Sequence, residues 1–201
     1  YNISTSWSGL FMDINNDQWQ DLYVTKGYLE MFLRVIKLDE NNVYLNRKSK
    51  FEDVSSLSGA NDACSQRGTA TLDYDHDGDL DIVVGTIKMP RGEFGKVDQK
   101  IKVFRNNNQS RNKWIRIKLV GGEGVNRDCL GCSVTLSSNG ADKLIREVDG
   151  GSGHSSQSSK ILHFGMGKSE YARDIEIQWL GRETQKIEKL KKCFASRLHN
   201  K

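Results

Sequence analysis

Two nine-residue stretches concentrate the side chains that could do chemistry: Asp13 to Asp21 (DINNDQWQD) and Asp73 to Asp81 (DYDHDGDLD). Each sets oxygen-bearing residues at positions one, three, five and nine: Asp13, Asn15, Asp17 and Asp21, then Asp73, Asp75, Asp77 and Asp81. Carboxylates at this density repel one another unless a cation gathers them. Hard oxygen donors at alternating positions suit Ca²⁺, which takes about six to eight oxygens at roughly 2.3–2.6 Å. The backbone carbonyl at position seven, from Trp19 or Asp79, and water would complete the shell. Asp, Asn and Gly also favour plain solvated turns. Two such loops in the same register, each leading into an apolar run, favour the metal reading.

The elements around the loops decide which kind of calcium site this is. An EF-hand needs a bidentate Glu at position twelve and flanking helices, but position twelve is Val24 in one loop and Val84 in the other. Leu22-Tyr23-Val24 and Ile82-Val83-Val84-Gly85 read instead as short strands closed by a turn residue. The carboxylate at position nine therefore sits at a strand entrance. The second loop has Gly78 at position six, where a tight turn often needs positive φ. The first has Gln18 there and Asn15 in place of an Asp, so weaker binding is expected of it. The loops start 60 residues apart, and Ser8 to Met12 precedes the first as Gly68 to Leu72 precedes the second. Strands are expected at Val43 to Leu45 and from Phe51, and Ile101 to Asn107 echoes the first of these.

DYDHDGDLDIVVG, with VYLN and FEDV upstream, resembles the FG-GAP or VCBS-type repeat of integrin-like β-propellers. The resemblance covers roughly residues 1 to 107 and implies Ca²⁺ held between the strands of a blade by the residues named above. Two repeats make a partial propeller. With Tyr1 in place of an initiator Met, the expectation is a piece of a longer chain that supplies further blades.

The texture changes near residue 111. Residues 1–110 carry 13 Lys/Arg against 16 Asp/Glu, net −3, and residues 111–201 carry 17 against 10, net +7. Ile115, Ile117 and Leu119 alternate with Arg116 and Lys118, as Ile175, Ile177 and Trp179 do with Glu176 and Gln178. Such alternation predicts antiparallel strands with one buried face, in a small sandwich or barrel. NRDCLGCSV (Asn126 to Val134), REVDGGSGHSSQ (Arg146 to Gln157), LHFGMG (Leu162 to Gly167) and IEIQWLG (Ile175 to Gly181) together resemble the ASPIC/UnbV domain. That domain follows VCBS-type repeats in the cartilage acidic protein-like family and its bacterial relatives. Cys129 and Cys132 stand where the family usually has Gly and Ala, and Trp179-Leu180-Gly181 is shorter than its usual turn. The expected architecture is all-β, a repeat region over 1–110 followed by an ASPIC/UnbV domain over 111–201.

Catalytic constellations are weak. Ser and His neighbours in Ser152 to Ser156 diverge in direction, and neither a GxSxG elbow nor a phosphate-binding glycine pattern is present. His163 is expected to pack in a strand. Four cysteines, Cys64, Cys129, Cys132 and Cys193, allow three full pairings. The Cys-x-x-Cys pair lacks a thioredoxin-like or zinc context, so a disulfide in an oxidising compartment or small buried thiols are the readings. Sequons fall at Asn2-Ile3-Ser4 and Asn108-Gln109-Ser110. Lys186 to Lys201 holds six Lys/Arg against Glu188 and reads as a solvated basic face, without the aromatic rows of nucleic-acid binders. No apolar run is long enough to insert into a membrane. The sequence thus predicts a non-enzymatic, extracellular or periplasmic, calcium-stabilised module for adhesion or interaction with a protein or glycan ligand. The alternative is an enzyme or accessory factor of bacterial secondary metabolism, working through Arg146, Glu147, Asp149 and His154. A third reading is redox chemistry at Cys129 and Cys132.

Overall fold

The computed structural model describes residues 5–27, 39–87, 89–92, 95–97, 100–138, 143–191 and 195–199. In chain order these form β1 (Ser6–Met12), β2 (Asp21–Lys26), β3 (Asn42–Asn46), β4 (Phe51–Asp53), the single-turn helix α1 (Ser55–Ser58), β5 (Gln66–Leu72), β6 (Asp81–Thr86), β7 (Met89–Gly92), β8 (Gly95–Val97) and β9 (Ile101–Phe104). After them come β10 (Lys113–Val120), β11 (Ser133–Ser137), β12 (Leu144–Glu147), β13 (Leu162–Gly167), β14 (Tyr171–Gln178), β15 (Thr184–Lys191) and β16 (Ala195–His199). The all-β expectation holds.

The repeat is visible in the sheets. One sheet runs β1-β2-β3-β4 and another β5-β6-β9, while β7 and β8 form a separate hairpin. Met12 pairs with Asp21 where β1 meets β2, and Leu72 pairs with Asp81 where β5 meets β6. Each acidic stretch is thus the connection of an antiparallel hairpin. The second strand of each hairpin then pairs with a third, β2 with β3 and β6 with β9. Alternation buries Leu10 and Met12 on β1 and Ile82 and Val84 on β6, and Met12, Ile82 and Val84 share one small core with Tyr23 and Val43.

The remaining strands form two sheets, β13-β10-β16 and β12-β11-β14-β15. Ile115, Ile117, Val134, Leu136, Phe164, Ile175, Ile177 and Trp179 are essentially dry and belong to one core. Inward-facing alternate residues from two sheets filling one core is the packing of a β-sandwich. Among the described residues β10 and β16 form its parallel pair. A disulfide joins Cys129 to Cys132 in the connection between β10 and β11, and Cys64 is a free, half-buried thiol. Cys193 and the Asn2 sequon lie outside the described residues. No helix among the described residues is long and apolar enough to cross a membrane.

Candidate metal centres

The two loops share one backbone conformation. Position four is left-handed in both, Asn16 at φ 58° and His76 at φ 63°, and so is position six, Gln18 at φ 89° and Gly78 at φ 94°. Gly78 adopts this at no steric cost, whereas Gln18 carries a Cβ strain of about 1 kcal/mol.

Their hydrogen bonds repeat at the same 60-residue offset. The position-nine carboxylate is braced twice. Asp21 accepts from the Ile14 amide at 2.8 Å and the Asn46 amide at 2.8 Å; Asp81 accepts from Tyr74 at 3.0 Å and Asn106 at 2.8 Å. The side chains of Asn46 and Asn106 donate to the carbonyls of Gln20 and Leu80, at 3.0 and 3.3 Å. The asparagine at the end of β3 and its counterpart two residues beyond β9 therefore each pin the last ligand of their loop. Position one accepts the position-six amide in both: Gln18 to Asp13 at 2.8 Å and Gly78 to Asp73 at 3.1 Å.

The loops then diverge. In the second, carboxylate oxygens of Asp73, Asp75 and Asp81 lie within 4.8 Å of one another. The Asp73 side chain is 2% exposed, and its Oδ1 is buried with no hydrogen-bond partner. A buried anionic oxygen without a donor is costly unless a cation meets it, so these residues fit an oxygen-preferring divalent ion. Asp77 and Asp79 fall outside that trio. Asp77 accepts the Asp79 amide at 2.9 Å, and Asp79 Oδ1 accepts from Asn16 Nδ2 at 2.7 Å. Arg105 pairs with Asp75 at 2.8 Å and reaches Asp77 at 3.6 Å, and Arg116 pairs with Asp73.

In the first loop, Asp13 accepts the amides of Asp17 at 2.9 Å and Gln18 at 2.8 Å, and Asn15 donates to Asp17 at 3.0 Å. Asp17 also accepts the Trp19 amide at 3.0 Å, and the Trp19 ring lies 5.8 Å from the Lys48 ammonium. Burial, opposed by the Gln18 amide and reinforced by Asp17 and Asp21, pushes the Asp13 carboxyl up to about 7. Burial likewise raises Asp21 to about 6 and Asp79 to about 6. These are carboxylates short of positive charge.

The sandwich covers both loops. Trp114 on β10 packs so closely on Gly78 that no Cβ fits there. Gly165 on β13 lies against the Asn16 backbone, where a Cβ would fall 2.6 Å from its Cα. Asn16, 1% exposed, joins three elements: its Nδ2 donates to Asp79, and its Oδ1 lies 2.7 Å from Nε2 of His163. Because Nδ2 faces a carboxylate, Oδ1 faces the imidazole, and Nε2 carries the proton. Burial, with Arg146 and Arg116 nearby, lowers the His163 pKa from 6.5 to about 3.

That depression has a sign. The unfolded chain takes up this proton first, so stability is complete above the unfolded value and drains as pH falls toward about 3. The slope is about 1.4 kcal/mol per pH unit. From pH 7 to about pH 4.5, His163→Gln, whose amide also donates, is expected to gain about 2–3 kcal/mol on the parent in urea unfolding.

The glycine-rich segment is a seam between the two halves. His154 donates its amide to Ser8 Oγ at 3.2 Å and sets its ring edge-on to Trp7; Ser156 Oγ donates to the Thr69 carbonyl at 2.7 Å. A cleft of about 510 Å³ opens beside it, lined by Arg146, Glu147 and Asp149 and reaching Asp13 and His163. His154 does not line it. The Asn108 amide, within the second sequon, faces Asp79 at 3.4 Å.

Sequence reading missed Asn46 and Asn106, although their shared 60-residue offset in matching segments could have revealed them. It also missed Asn16, Arg105, Trp114 and Arg116, whose roles depend on contacts across the fold.

A hairpin repeat with oxygen-rich turns, followed by a β-sandwich seated on those turns, defines the class of protein. The FG-GAP-like repeat family matches residues 13–84, and the ASPIC and UnbV family matches residues 122–195. The chain therefore carries an FG-GAP-like repeat followed by an ASPIC and UnbV domain. It is similar to cartilage acidic protein 1 of Homo sapiens, 32% identical over 112 residues, and of Mus musculus, 31% identical over 112 residues. The Xenopus tropicalis protein of that name is 30% identical over 112 residues. These matches take in 56% of this chain but only 15% of the human and 16% of the mouse protein's length.

Proposed function

We infer that this chain is a non-enzymatic, extracellular interaction module whose propeller loops bind Ca²⁺ for structure. The observation that carries this reading is the second loop, with three converging carboxylates and the partnerless buried oxygen of Asp73. Asp73, Asp75 and Asp81 would hold the ion, with Asp77 and the Asp79 carbonyl as further donors. In the first loop Asp13, Asn15, Asp17, Asp21 and the Trp19 carbonyl would do the same. Bound there, Ca²⁺ supplies the positive charge that the buried carboxylates lack; the chain's own contribution is to brace the donors through Asn46, Asn106 and the loop amides. The Cys129–Cys132 disulfide suits an oxidising compartment outside the cytosol. Likeness to cartilage acidic protein 1 supports an extracellular setting. As part of the same reading we propose a protein or glycan partner and domains at 1–110 and 111–201.

Calorimetric titration with Ca²⁺ tests the site. The parent is expected to show saturable binding, and Asp81→Asn, which removes a ligand charge but keeps the side chain's shape, to weaken the second-loop event about 100-fold, the scale of losing a close charge partner. Identical titrations for parent and variant would refute the assignment.

A further inference from the structure

We propose that Arg116 sets the cation affinity of the second loop, so that the sandwich and the metal compete for one carboxylate. The inference rests on the reading of that loop as a Ca²⁺ site. Asp73 opens the loop, and its two oxygens are used differently. Oδ2 receives the Gly78 amide and the Arg116 guanidinium; Oδ1 receives nothing. Arg116 belongs to β10 and is 13% exposed against 2% for Asp73. It is no swinging surface side chain. Trp114, two residues earlier on the same strand face, is wedged on Gly78, and the Arg116 guanidinium sits 5.2 Å from its ring.

The first loop has no such partner. Among the described residues no guanidinium is ion-paired with Asp13, Asp17 or Asp21, and the repeat places Leu45 where Arg105 stands in the second. The hydrogen bond that His163 brings from the sandwich to the first loop falls on the uncharged Asn16. The Arg146 guanidinium on β12 acts on Asp13 only through space, so among the described residues it is the second loop whose first ligand is directly bonded by a guanidinium from the sandwich.

A cation arriving at Asp73 Oδ1 shares its carboxylate with that charge. Like charges this close and this dry repel strongly. Arg116 also orients Asp73, and losing that orientation would weaken binding. The Gly78 amide holds the same oxygen independently, so the charge effect wins. By linkage, a bound cation loosens the hold of Arg116 by the factor by which Arg116 weakens the cation.

The test is calorimetric Ca²⁺ titration of the full chain at low salt, comparing the parent with Arg116→Gln, Arg116→Lys and Asp81→Asn. Arg116→Gln is expected to bind Ca²⁺ at the second loop about tenfold more tightly, a shift typical of removing one adjacent like charge. Arg116→Lys keeps the charge and is expected to stay near the parent. Unchanged or weaker binding in Arg116→Gln overturns the inference, as does equal tightening in Arg116→Lys. If Arg116→Gln fails to fold without Ca²⁺, the cation must restore folding by replacing the lost charge; no folding at any Ca²⁺ concentration overturns it. An Asp81→Asn titration identical to the parent's defeats instead the calcium reading itself.

Discussion

Replacing Asn16 with Ala is expected to lower the unfolding free energy by about 4 kcal/mol, with orphaned buried groups costing about 1–3 kcal/mol each. The side chain is 1% exposed and lies 2.7 Å from both Asp79 Oδ1 and His163 Nε2. Its loss leaves the imidazole N–H without an acceptor in a dry site, because His163 Nδ1 already has no partner. Asp79, already raised to about 6 chiefly by burial, loses its best donor. Asn also tolerates the φ of 58°, and Ala there adds about 1 kcal/mol of backbone strain. For a chain of this size about 4 kcal/mol is a melting shift of about 8–16 °C. Asn16→Asp, which keeps an acceptor for His163 but sets a charge against Asp79, is expected to fall nearly as far. A melting temperature within about 2 °C of the parent, the shift of less than 1 kcal/mol, would show that the sandwich does not hang on this residue.

Chelation should act on a similar scale. At a free Ca²⁺ concentration 100 times the dissociation constant, each site adds about 2.7 kcal/mol, so emptying both removes about 5 kcal/mol. In scanning calorimetry this is a fall of about 10–20 °C. The effect depends on pH with a definite sign. Without metal, Asp13 titrates at about 7 and Asp21 and Asp79 at about 6, raised chiefly by burial. A raised carboxyl contributes stability at low pH that is lost as pH climbs through the folded value. The metal-free protein should therefore weaken from about pH 4, where the unfolded carboxyls ionise, to about pH 7, and the stabilisation by Ca²⁺ should widen over the same range. His163 works in the opposite sense below its unfolded value, and the His163→Gln comparison separates the two slopes. A melting curve unmoved by EDTA at pH 8 would leave the loops as plain turns.

How much of this was legible beforehand follows the range of the forces involved. Ligand spacing in DINNDQWQD and DYDHDGDLD, the failed twelfth position and the apolar strand after each loop are contiguous features. Residues so close in sequence share a local conformation whatever the rest of the chain does. The 60-residue register was likewise readable, as was the alternation of Ile115, Ile117 and Leu119 that buries them at 1%, 0% and 3% exposure. Gly78 announced its turn; Gln18 concealed the same turn, because its φ of 89° is imposed by the hairpin rather than chosen by the residue.

The sequence alone thus determined two oxygen-rich hairpin turns in register and an alternating sandwich behind them. Only the tertiary structure decided which distant side chains meet each turn. Arg116 reaches Asp73 across 43 residues and His163 reaches Asn16 across 147. Neither contact has a local signature: Arg116 alternates with isoleucines as a solvent-facing residue would, and His163 reads as packed in its strand without any sign of what it packs against. Docking fixes the dielectric and the neighbouring charge, and these set how strongly a carboxylate holds a proton or a cation. The ranking of the two loops, stronger second over weaker first on glycine and aspartate content, is therefore reopened by one guanidinium that spacing could not place.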